Sequence, residues 1–197
     1  MFIELTDLLR CPAPHPESYL VLLPDTVAGR DVLAGRLGCP ACGAEYLVRE
    51  GRAELGEAPP REATPSRLDG DGILALLGLD GPGGFVVLVG GAAAAWPAVA
   101  EGLEGVHLVG VNPPAGIRAG RAFSVVEAGR LPFKARSLRG AVLGPGYGDD
   151  PAWISAAAEA VLPGLRVAGE GSGEGLEPPL EPLARAGGAW VARRGRD

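Results

Sequence analysis

The stretch Phe85-Val86-Val87-Leu88-Val89-Gly90-Gly91-Ala92-Ala93-Ala94 decides the fold. Five successive apolar residues, three of them valine, ended by a glycine pair, read as a strand buried on both faces. A glycine turn between such a strand and a helix lets a ligand approach the backbone and the helix N-terminus. Outward from this point the pattern alternates. Helices are expected at 73–79 and 95–103, with Pro97 in the first turn of the second. Strands follow at 106–111 and 122–126, with a short helix or turn at 113–119 between them. A short strand is expected at 141–143. Asp150-Pro151 then supplies an acidic cap and a first-turn proline for a helix running to Leu162, stopped by Pro163-Gly164. A strand at 165–168, a helix at 180–186 and a strand at 189–193 complete the reading, with no seventh strand evident. Strands alternating with helices imply a mainly parallel sheet covered on both faces, an α/β architecture.

The composition permits such a core. The chain has 197 residues, of which 47% are hydrophobic, and its 32 glycines and 19 prolines do not prevent compact apolar runs. Lys134 is the only lysine among 18 basic residues, and the abundance of Gly, Pro and Arg is what a GC-rich genome produces. Glycine motifs are discounted accordingly. The net charge of −6 argues against non-specific attraction to nucleic acid or anionic lipid. Met1 to Arg10 lacks a basic start and a long apolar run, so no export signal is expected. The longest uncharged stretch, 81–100, is broken by glycine and proline, so no membrane span is expected either. The cytoplasm is the default compartment, where closely spaced cysteines suggest metal rather than disulfide.

Residues 58–65, Ala-Pro-Pro-Arg-Glu-Ala-Thr-Pro, read as an extended linker. They divide a first segment, 1–57, from a second, 71–197, with 58–70 between them. All three cysteines lie in the first segment, which is expected to hold strands at 19–23 and 45–49 and to need a staple for so small a core. Cys39-Pro40-Ala41-Cys42-Gly43 is a knuckle that aims two thiolates at one point. Cys11 and His15, in Cys11-Pro12-Ala13-Pro14-His15, supply a second knuckle. Together Cys11, His15, Cys39 and Cys42 make a Cys3His zinc ribbon, and four protein ligands close such a site, making it structural. Two alternatives stand beside this: buried apolar cysteines with a surface histidine, and a ribbon that has lost its metal.

Further motifs follow the glycine turn. The second strand ends in Val109-Gly110-Val111-Asn112, and the third leads into Glu127-Ala128-Gly129-Arg130-Leu131-Pro132-Phe133. Later comes Val161-Leu162-Pro163-Gly164-Leu165. In the order and spacing of these motifs, residues 71–197 resemble class I S-adenosylmethionine-dependent methyltransferases of the small-molecule type. The first segment resembles zinc ribbons at the start of some bacterial methyltransferases, and the small activator subunits of certain tRNA and protein methyltransferases, with Tyr46-Leu47-Val48-Arg49-Glu50-Gly51 after the second knuckle. The resemblance implies a Rossmann-like fold and places a cofactor pocket at Gly90, Gly91, Ala92, Asn112 and Glu127. It also exposes departures from the family. Leu88 stands where an acid is expected, Ala92 and Ala94 where glycines are, Asn112 where an aspartate holds the ribose, and Arg139 where another acid is expected. An amide offers one acceptor oxygen and no charge. Several such losses, each on the order of 2 kcal/mol, would carry a micromolar site to millimolar.

The expectation is therefore a non-catalytic methyltransferase-like protein that serves as a binding or scaffold subunit, with a protein partner. The alternatives are an active S-adenosylmethionine-dependent methyltransferase with a divergent pocket, a Rossmann-like domain of another family, and an RNA-associated module. The last is motivated by the run of basic residues from Arg118 to Arg139 and disfavoured by net charge. Glu170, Glu174, Glu177 and Glu181 are expected in a mobile acidic loop, and His107 in the core, with no nucleophile set assembled.

Overall fold

The computed structural model describes residues 1–59 and 64–196. Of the expected linker, residues 60–63 lie outside the described residues. The strands are β1 (Val21–Ala28), β2 (Asp31–Gly38), β3 (Glu45–Arg49), β4 (Arg52–Leu55), β5 (Phe85–Val89), β6 (His107–Val111), β7 (Phe123–Ala128), β8 (Leu138–Leu143), β9 (Val161–Glu170), β10 (Leu180–Ala186) and β11 (Ala189–Arg194). The α-helices are α1 (Gly70–Leu77), α2 (Trp96–Gly102) and α3 (Pro151–Ala160), and 3-10 turns cover Ile3–Leu8 and Gly90–Ala95. No helix among the described residues is long and apolar enough to cross a membrane.

All eleven strands form one sheet in the order β1-β2-β3-β4-β7-β6-β5-β8-β9-β11-β10. The pairs from β4 to β9 are parallel, and those on either flank are antiparallel. The expectation of a mainly parallel sheet thus holds at the centre only. The whole is a mixed sheet, because the first segment contributes a meander and the C-terminus a hairpin. Within the second segment the order is 3-2-1-4-5-7-6, a Rossmann-like arrangement with a reversed strand inserted near one edge.

The seventh strand absent from the sequence reading is β10, where a helix was expected at 180–186. The signal that decides it is Gly187-Gly188, whose φ angles of 61° and 76° make the two-residue turn of a hairpin with β11. The strip 113–119 is a turn without a helix. β9 begins at Val161, directly after α3, so Pro163-Gly164 falls inside the strand at a register shift. Asp150 caps α3 as expected, accepting the Ala152 N–H at 2.9 Å.

Alternation along β5 explains the layers. Val86 and Leu88 pack with Ile73 and Leu77 of α1 and Val99 of α2. Val87 and Val89 face the opposite cluster, with Trp153, Ile154 and Ala157 of α3. That second cluster also contains Leu5, Leu9, Val32, Leu37, Val48, Cys11 and Cys39. The two segments therefore share one apolar cluster across the expected linker. β4 pairs parallel with β7, Arg52 to Val125 through Leu55 to Ala128, and the Lys134 N–H donates to the Leu8 carbonyl at 2.8 Å.

His107 is buried as expected. Its Nε2 lies 2.9 Å from Ser124 Oγ and its ring stacks on Phe2 at 4.4 Å. Burial, with the nearby N-terminal ammonium, lowers its pKa to about 4. Ser124 is fully buried and also accepts the Phe2 N–H, so this pair is structural. The acidic loop is corrected: Glu170 is buried, and Glu181 pairs with Arg193 across the final hairpin at 2.7 Å.

Candidate functional site

Two places gather the expected residues. The first is at the tips of the first segment. Cys11 follows a bridge between Arg10 and Tyr19, and its N–H donates to the Ser18 carbonyl at 2.9 Å, closing the loop that carries His15. Cys39 follows β2 directly. The Cys39 N–H donates to Ala44 and the Gly43 N–H to Cys39, both at 2.9 Å, so the β2–β3 turn presents Cys39 and Cys42 together. The four ligand atoms of Cys11, His15, Cys39 and Cys42 lie within 4.8 Å of one another.

The spacing fits an ion. A tetrahedral centre with metal–sulfur bonds near 2.3 Å and metal–nitrogen bonds near 2.0–2.1 Å has S···S edges of about 3.8 Å and S···N edges of about 3.6 Å. Cys11 Sγ lies 3.9 Å from Cys42 Sγ, and Cys39 Sγ lies 3.5 Å from His15 Nε2. His15 Nδ1 sits 2.6 Å from the Pro16 carbonyl. A carbonyl only accepts, so Nδ1 carries the hydrogen and Nε2 presents its lone pair toward the thiols. That bond to Pro16, reinforced by the neighbouring thiols, raises the histidine's pKa.

Burial alone would raise the Cys39 thiol. Hydrogen bonds from the Cys42 and Ala41 backbone and the Ser18 and Cys11 side chains outweigh it and bring the pKa to about 6. Tyr46 Oη is 3.3 Å from Cys11 Sγ. Its own ionisation is pushed up by burial first, then by the Cys11 hydrogen bond and the surrounding sulfurs, so the phenol keeps its proton. The four side chains can hold a metal ion.

The second place is a cleft at the C-terminal ends of the parallel strands. Here the order reverses between β5 and β8, the position where doubly wound sheets bind ligands. Gly90, Gly91, Asn112 and Glu127 all line it, with Thr64, Pro114 and Tyr147. Ala92 does not: it is buried in the core beside α1 and α2. The cavity measures about 170 Å³, below the roughly 300–1,000 Å³ of pockets that enclose drug-sized ligands.

Both polar side chains expected to meet a cofactor there, Asn112 and Glu127, have internal partners. Asn112, in the left-handed region at φ 50°, accepts the Ala128 N–H at 2.9 Å and donates to the Ala128 carbonyl at 2.8 Å. It thus closes the ends of β6 and β7 as an extra rung, and its Nδ2 also lies 3.4 Å from Tyr147 Oη. Glu127 is ion-paired with Arg52 of β4, which also donates to the Ile117 carbonyl at 3.2 Å. Gly90 has φ 59°, and a methyl group added to it would stand 2.6 Å from the Tyr147 ring. Gly91 lies under the Thr64 carbonyl, and a methyl there would come within 3.0 Å of the Ser66 nitrogen. That covering segment is fastened by buried Glu170, which accepts from Ser66 Oγ at 2.6 Å and from the Arg67 N–H at 2.7 Å.

Sequence reasoning missed Arg52, Tyr147 and the segment beginning at Thr64. Arg52 meets Glu127 only because β4 joins β7, and no local pattern announces that pairing. The basic run does not form one patch. Arg139 caps the carbonyls of Asp80, Gly81, Pro82 and Gly83, Lys134 lies over the Tyr19 ring, and Arg118 faces Glu50.

The fold and its two sites define a Rossmann-like α/β chain with a sheet-extending Cys/His ribbon. No family model and no curated protein matches it in sequence. Solved structures similar to it include a complex between the Haloferax volcanii Trm112 methyltransferase activator and a methyltransferase, at 21% identity and a TM-score of 0.40 over 49% of this chain and 48% of that one. The pyocyanin biosynthetic protein PhzM is similar at 17% identity and TM-score 0.45, over 65% and 55%. The T. thermophilus 16S rRNA N2 G1207 methyltransferase RsmC, in complex with AdoMet and guanosine, is similar at 16% and TM-score 0.33, over 99% and 47%. The chain spans about half the length of these three. Likenesses this loose assign neither activity nor partner.

Proposed function

We propose that this chain is a methyltransferase-like protein without methyl-transfer activity, serving as a binding or scaffold subunit for a protein partner in the cytoplasm. Its ribbon holds a structural zinc ion through Cys11, His15, Cys39 and Cys42. The observation that carries the proposal is the closed use of the cleft. Asn112 is bonded to Ala128, Glu127 is paired with Arg52, and Gly90 and Gly91 are covered by Tyr147 and Thr64. A ribose and an adenine would have to break these contacts to bind, and Leu88 is fully buried, with no charge for the methionine end.

The second reading is an active S-adenosylmethionine-dependent enzyme with a divergent pocket. What favours it is convergence: Gly90, Gly91, Asn112 and Glu127 still line one cavity at the strand ends. Calorimetric titration of the purified chain with S-adenosylmethionine and S-adenosylhomocysteine separates the two. The proposal expects no binding tighter than millimolar, and micromolar binding would overturn it in favour of the enzyme.

A further inference from the structure

Three of the four candidate metal ligands, His15, Cys39 and Cys11, have different outer contacts. His15 is fixed through Nδ1 by the Pro16 carbonyl, and Cys39 is approached by the amides of its own knuckle. After Cys11, Pro12 and Pro14 carry no N–H, so of the next three residues only Ala13 has an amide hydrogen. The Cys11 sulfur meets the Tyr46 hydroxyl at 3.3 Å, from a strand on the other side of the ribbon. The Tyr46 ring packs on the core that also contains Leu37 and Cys39, so the hydroxyl is held in place.

We infer that Tyr46 is a positioning residue for the metal centre, donating its O–H to the Cys11 thiolate where Pro14 stands at the place from which Cys42 donates its amide to Cys39. This rests on the reading of the four side chains as zinc ligands. Three thiolates and one neutral imidazole around a divalent ion leave one net negative charge, on the sulfurs. A donor to one sulfur disperses that charge, fixes the rotamer of Cys11 and ties the first knuckle to β3. Outer contacts of this kind typically alter metal affinity by about 10–100-fold.

The test uses the full chain as wild type, Tyr46→Phe and Tyr19→Phe. Tyr19 is an exposed tyrosine whose hydroxyl meets Glu17, and it serves as the control. Cobalt(II) is titrated into metal-free protein and then displaced with zinc, while the d–d and thiolate-to-cobalt charge-transfer bands are recorded. Tyr46→Phe is expected to weaken zinc binding about 10-fold or more. It should also move the charge-transfer band to lower energy, since a sulfur that loses a hydrogen bond gives up its electron more readily. The d–d bands should keep tetrahedral intensity, and Tyr19→Phe should match wild type throughout. Circular dichroism checks that the variant is folded, and the band position reports the donor independently of stability. A Tyr46→Phe protein with wild-type affinity and an unmoved band would overturn the role of Tyr46 while leaving the four ligands standing. A wild-type chain that takes up neither metal would overturn the ligand set, and the role of Tyr46 with it.

Discussion

The knuckles and the cleft both collect the side chains that their motifs foretell, yet they leave those side chains in opposite conditions. At the knuckles, three sulfurs and one imidazole nitrogen converge on a common point, with edge lengths that suit a single ion. Outer hydrogen bonds there leave lone pairs for an ion: His15 is held through Nδ1 alone, and the sulfurs of Cys11 and Cys39 accept hydrogen bonds while keeping further lone pairs. In the cleft, the amide of Asn112 and the carboxylate of Glu127 are turned onto the chain itself. Convergence alone is therefore a weak sign of a site. What distinguishes the two regions is whether the donor atoms remain available once the fold has satisfied itself.

The largest effect expected from this contrast is loss of the metal. Chelation, or Cys39→Ala, should remove the ion and lower stability by several kcal/mol, since structural zinc contributes on the order of 10 kcal/mol to the folding of small ribbons. Leu5, Leu9, Val32 and Leu37 share a cluster with Leu131 and Phe133, so the metal-free chain should melt in one cooperative transition at lower temperature. Differential scanning calorimetry checks this. Two separated transitions, with only the first moved by chelation, would show that the ribbon folds apart from the sheet.

Asn112→Asp tests the cleft from the other side. A carboxylate cannot donate to the Ala128 carbonyl, so the substitution leaves that acceptor facing a negative charge. A cost of about 1–3 kcal/mol is expected from urea denaturation, with no gain in S-adenosylmethionine binding. If the cleft were a divergent cofactor site, the same change would restore a ribose contact and strengthen binding.

The smallest effect concerns Arg52→Ala. The pair with Glu127 is partly exposed, so its loss should cost no more than about 1 kcal/mol in the same denaturation experiment. A larger loss would mean that Arg52 secures the β4–β7 junction through its bond to the Ile117 carbonyl as well as through Glu127.

How far the sequence could be read follows the reach of each interaction. Phe85–Val89, Glu45–Arg49 and the capped helix at Asp150-Pro151 are encoded by neighbours a few residues away, and all three are present. The Cys/His cluster is legible because knuckle spacing is local, although bringing Cys11 to Cys42 is not. The run 180–186 misled because its apolar residues fit a helix, whereas Gly187-Gly188 makes it half of a hairpin. β4 was invisible: Arg52–Leu55 is a four-residue strand held by the distant β7. The closed state of the cleft depends on that pairing and on Thr64 crossing Gly91, contacts between residues far apart in sequence. The resemblance marks Asn112 as a departure from a motif but says nothing of its two bonds to Ala128.

Native mass spectrometry of the full chain, purified with zinc and incubated with S-adenosylmethionine at about 0.1 mM, tests the contrast most directly. One population is expected, carrying a single zinc ion and no cofactor. A folded chain without metal, or a zinc-loaded chain with S-adenosylmethionine bound at that concentration, would contradict it.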